Sequence, residues 1–110
     1  IRVLLSDPYI IKIIHVMFIE MYRNEGIRER LKLEYGERAD SYTEMLFREY
    51  ARRGTIRSDD PRALAVLFNR FRFAWMFQTF VMDARPTYDA EQLEKDLEGP
   101  IRMFVELTRP

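Results

Sequence analysis

The chain contains no cysteine. That removes disulfide scaffolds, thiolate metal sites and cysteine nucleophiles. It has one histidine, His15, so a metal centre would lack the second imidazole or the thiolates that usually complete one. An excess of one charge is missing too, since 18 basic residues balance 18 acidic ones. A domain that grips nucleic acid by itself carries a basic excess or stripe, so direct DNA contact by this segment is not expected. Long apolar runs are absent, broken by Lys12, His15 and Glu20 and later by Asn69, Arg70 and Arg72. No membrane span or signal peptide is therefore read, and a cytoplasmic location is the default. There is no Gly-rich phosphate loop, no Ser-His-acid arrangement and no Glu-x-x-His motif, so neither an enzyme nor a cofactor is expected.

What is present is a globular composition: 47% hydrophobic and 14% aromatic residues over 110 positions. That suits a single domain, 1–110, with a moderate core. Glycine and proline are few, at 4 and 5, and they punctuate the chain. The opening Ile1-Arg2-Val3-Leu4-Leu5 is apolar with no capping residue before it. We therefore expect a partial leading helix and a chain that begins inside an element.

Ser6-Asp7-Pro8 is a start signal, a capping oxygen followed by proline where its missing N–H costs nothing. A helix should run from about Pro8 to Arg23, apolar on nearly every side. Asn24 should cap a long amphipathic helix from Glu25 to Arg53, with Ile27, Leu31, Tyr35, Ala39, Tyr42, Leu46 and Tyr50 on one face. Gly36 is its weak point, yet the apolar stripe keeps its phase through it, and Gly54 should end it. Asp60-Pro61 repeats the first start signal and opens a helix to about Met82, ended by Arg85-Pro86. Asp89, with Gln92 at capping-box spacing, opens the last helix, which Gly99-Pro100 should bend. No period-two stretch suggests a strand.

The Pro61–Met82 helix is apolar all round. Leu64, Phe68, Phe71, Trp75 and Met82 form one stripe, and Val66, Phe73, Phe77, Phe80 and Val81 the other. One stripe can enter the core. The other must meet something else, and a second copy is the common solution. The expected fold is an all-α antiparallel bundle of about four main helices plus the leading piece, dimerising through the last two helices. The dimer interface is assigned to Phe73, Phe77, Phe80, Val81, Leu97, Ile101, Phe104 and Val105.

His15 can serve as a polar anchor in a pocket or as a satisfied core histidine. Arg70, Arg72 and Asn69 in an apolar helix need partners. Glu20, Glu44 and Glu49 are candidates for a structural pair, while Arg72 could instead meet an acidic group on a ligand. The candidate ligand-binding set is His15, Phe18, Tyr22, Tyr42, Met45, Phe68, Phe71, Arg72 and Trp75. Such an aromatic stripe can also be plain core.

The order of elements resembles the C-terminal regulatory domain of TetR-family transcriptional regulators. The resemblance rests on Asp7-Pro8 opening an apolar helix that ends in Glu20-Met21-Tyr22-Arg23-Asn24. It rests further on a long helix ending in Ala51-Arg52-Arg53-Gly54-Thr55-Ile56-Arg57, and on Ser58-Asp59-Asp60-Pro61 before a helix with Ala63 and Ala65. It implies a homodimer built on the last two helices and a pocket for a small lipophilic or aromatic effector. It also implies a repressor that touches DNA only through an N-terminal helix-turn-helix, which this chain lacks. The rival expectations are a structural dimerisation module without a ligand and, third, a small helical enzyme.

Overall fold

A computed structural model describes residues 7–83 and 89–110, and among them every regular element is helical. The leading segment, Ser6 and the Arg85-Pro86 stop lie outside the described residues. Helix α1 is Pro8–Arg23, and the Asp7 side chain accepts a hydrogen bond from the Tyr9 amide at its start. The Asn24 side chain accepts from the Ile27 amide and opens α2, Glu25–Lys32. A π-helical turn, Leu33–Arg38, carries the backbone without a break into α3, Ala39–Arg52. The long helix is thus continuous through Gly36, with the extra residue of a π turn absorbed there.

Gly54 ends α3 at φ 75°, a conformation that glycine adopts without steric cost. The Thr55 amide donates to the Tyr50 carbonyl and the Gly54 amide to that of Ala51, the paired bonds of a Schellman stop. The Asp60 side chain accepts from the Ala63 amide and opens α4, Pro61–Phe77. A second π-helical segment, Gln78–Met82, extends α4. The Asp89 side chain accepts from the Gln92 amide to open α5, Ala90–Thr108, which stays helical through Pro100. At its far end the Thr108 carbonyl accepts from the Arg57 amide at 2.7 Å, tying α5 to the loop between α3 and α4.

Helix α4 lies at the centre, and each neighbour runs antiparallel to it. On α3, Asp40 meets Arg70 and Glu44 meets Arg62. On α1, Phe18 meets Phe73 and Phe77, and Ile11 and Ile14 join Phe80 in one cluster. On α5, Leu93 shares that cluster, and Phe104 meets Phe68. Three helices of its own chain therefore use most of α4's apolar circumference. Of the second stripe that the sequence argument left for a partner, Phe80 is fully buried, while Phe73, Phe77 and Val81 stay partly exposed, as do Leu67 and Phe71 in the N-terminal half.

The core proper is small. Phe80 and Ile11 are its largest fully buried side chains, joined by Ile14 and Leu93. Each contributes about 1.5–3 kcal/mol of burial. Ile10, Trp75, Met76 and Leu97 close around them. Helix α5 meets the rest through side chains, Leu93 and Leu97 at one end and Phe104 on Phe47 and Phe68 at the other.

One polar group sits inside the α3–α4 contact. Asp40 and Asn69 are only 3% and 4% exposed. The Asn69 amide donates to Asp40 Oδ1 at 2.9 Å, and the Thr43 hydroxyl donates to Asn69 Oδ1 at 3.3 Å. Arg70 reaches Asp40 Oδ2 at 3.4 Å from an exposed position. The carboxylate that Asn69 and Arg70 required is Asp40, not Glu20, Glu44 or Glu49. Among the described residues, no helix is long and apolar enough to cross a membrane.

Candidate functional site

Two hollows lie between α1 and the C-terminal part of α4, and one groove lies between α4 and α5. The outer hollow, about 260 Å³, is lined by His15, Phe18 and Ile19 of α1 and by Phe77, Phe80 and Val81. The inner hollow holds only about 30 Å³, room for roughly one water. Met17, Phe18 and Met21 of α1, Leu31 and Tyr35 of the long helix, and Phe73 and Met76 of α4 line it. Phe18 borders both hollows. Its ring stands edge-on to Phe73 at 5.4 Å and to Phe77 at 5.5 Å, contacts worth about 0.5–1.5 kcal/mol each beyond area burial.

Among the described residues, no aspartate, glutamate, lysine or arginine lines either hollow. The His15 ring lines the outer hollow, and its buried Nε2 has no hydrogen-bond partner among the described residues. Such a buried, unpaired nitrogen is costly. Among the described residues, none satisfies this nitrogen as the core-histidine reading would require.

The groove is larger, about 900 Å³, and apolar. Leu67, Phe68 and Phe71 form one wall and the Pro100–Leu107 stretch of α5 the other. The Arg72 guanidinium sits 5.9 Å from the Phe68 ring, a cation–π contact rather than a buried ion pair.

The two apolar sets proposed from sequence are partly exchanged. Of the ligand candidates, His15 and Phe18 do line the outer hollow together. Phe68 and Phe71 stand instead in the groove, with Arg72 over Phe68. Trp75 packs against the core beside Phe80. Tyr22 is 88% exposed, and Tyr42 and Met45 are also exposed, so these three border none of the hollows described. Of the interface candidates, Ile101, Phe104 and Val105 line the groove. Phe73 and Phe77 flank Phe18 and Val81 lines the outer hollow, all three still partly exposed, whereas Phe80 and Leu97 belong to the core cluster. Phe80 is 0% exposed and is not available to a partner surface.

The spacing argument missed Met17, Met21 and Met76, which fill the inner hollow, and Leu67, Met103 and Leu107 in the groove. Met17 and Met21 were legible as an i,i+4 pair on the face that carries Phe18. Nothing local singles out Met76. Among the described residues, no group of three His, Asp or Glu side chains is placed to hold a metal ion.

Comparison with protein-family models, with curated proteins and with solved structures finds no match to this chain.

Proposed function

We propose that this chain is the effector-sensing and dimerisation domain of a transcriptional regulator of the TetR type. It would take a small lipophilic or aromatic molecule and act on a helix-turn-helix outside this chain. The observation that carries the reading is the use of one helix for two apolar sites. The C-terminal part of α4 borders the hollows against α1, and its N-terminal half borders the groove against α5. A ligand that prefers one placement of α4 would then bias whatever is docked in the groove.

Exposed area supports a second copy as the occupant of the groove. The chain exposes 8072 Å², against roughly 6,400 Å² expected for a compact monomer of this mass. The apolar side chains Ile101, Met103 and Leu107, which line the groove, are among the exposed ones.

Light scattering after size exclusion tests the dimer, and a thermal-shift screen with uncharged aromatic compounds tests the sensor. A dimer whose melting temperature rises with such a compound is expected. A stable monomer, or a dimer that no compound stabilises, sinks the sensing reading. The latter result favours the rival, a ligand-free structural dimerisation module, for which the nearly filled inner hollow speaks.

A further inference from the structure

We propose that the two hollows are one ligand chamber divided by the Phe18 ring, and that its ligand is a flat, uncharged aromatic molecule. The proposal rests on the effector-binding reading above. The outer hollow, about 260 Å³, falls just short of the roughly 300–1,000 Å³ typical of small-molecule sites. The inner one, about 30 Å³, is too small alone. Phe18 lines both, so swinging its ring aside joins them and adds the ring's own volume, which brings the chamber into range.

The lining fixes the ligand class. Phe73 and Phe77 already hold an aromatic ring edge-on, that of Phe18, and a ligand ring would take its place. Met17, Met21 and Met76 surround the inner hollow with unbranched thioethers, which repack around a guest at low cost and favour aromatic contacts. The described lining carries no acidic side chain, lysine or arginine, which disfavours ionised guests. Tyr35, in the π-helical turn, also borders the inner hollow, so filling it presses on the least regular part of the long helix.

The six methionines make the test direct. With isotope-labelled methionine methyl groups, the whole chain is titrated with N-phenylnaphthylamine and followed by NMR. The methyl signals of Met17, Met21 and Met76 are expected to shift together with the His15 ring. Met103, which lines the groove, is the control. If the joined chamber is a minor state populated at about a tenth or less, Phe18→Ala should tighten apparent binding about tenfold or more. Met76→Phe should abolish the Met17 and Met21 shifts but spare the shift at His15, and it decides the matter should Phe18→Ala not fold. A shift at His15 alone overturns the divided chamber and leaves the effector reading standing. Shifts at Met103 alone, or none, overturn both.

Discussion

Replacing Asn69 by alanine would strip Asp40 of its 2.9 Å donor and Thr43 of its partner, both inside the α3–α4 contact. A buried acceptor left unmet costs about 1–3 kcal/mol, so a loss of about 2 kcal/mol is expected from the urea midpoint. Arg70→Gln should cost less than about 1 kcal/mol, since that guanidinium is exposed and its bond is long. Equal losses from the two would contradict this ordering. Glu49 gives a second test. It accepts from Arg52 and then Arg53, and their guanidinium groups hold its pKa at about 2, below the ordinary 4.5. A depressed carboxylate stabilises the fold fully above the ordinary value and loses that contribution as pH falls towards 2. NMR titration of the Glu49 carboxyl should find its midpoint near 2, rising towards the ordinary value in about 1 M salt. A midpoint indifferent to salt would show that the arginines are not the cause. The need of Asn69 and Arg70 for a carboxylate was legible in the sequence. Which one was not, because Asp40 reaches them only through the antiparallel register of α3 and α4.

At the scale of the element, two glycines should respond to alanine in opposite directions. A Cβ on Gly36 meets nothing within 4 Å, and its φ is ordinary, so Gly36→Ala should stabilise the long helix by about 0.5–1 kcal/mol. At Gly54, with φ +75°, alanine should cost about 1–2 kcal/mol. Thermal melting of the two variants checks the signs. Helix starts were readable because their cause is local: Asp7, Asn24, Asp60 and Asp89 each accept an amide hydrogen bond two or three residues ahead. The two π-helical segments were not, since the apolar stripes run past Gly36 and Gln78 with what reads as ordinary α periodicity. Nor does a helix's own pattern say which neighbour meets which stripe. That is why the place of Phe73, Phe77 and Val81 beside the α1 hollows, partly exposed though they remain, was not legible.

The whole molecule is a slab, 40 × 35 × 20 Å, with a radius of gyration of 15.6 Å, against about 13 Å for a compact chain of this length. The proposed occupant of its apolar groove is a second copy, which Ile101 can test. Ile101 is 57% exposed, so Ile101→Glu should barely change the fold of one chain yet should convert a dimer to monomers in light scattering. A variant that stays dimeric would move the interface away from the groove. The Arg57–Thr108 hydrogen bond gives the slab a further property. It closes the chain into a ring that contains α4 and all of α5. Among the described residues, the other contacts of α5 include Leu93 and Leu97 in the core cluster and Phe104 on Phe47 and Phe68, so any detachment of α5 must break the Arg57–Thr108 bond as well. The Arg57 amide, bonded only while α5 is seated, should exchange with deuterated solvent at the rate of that detachment, making one backbone proton a clock for the opening of the last helix.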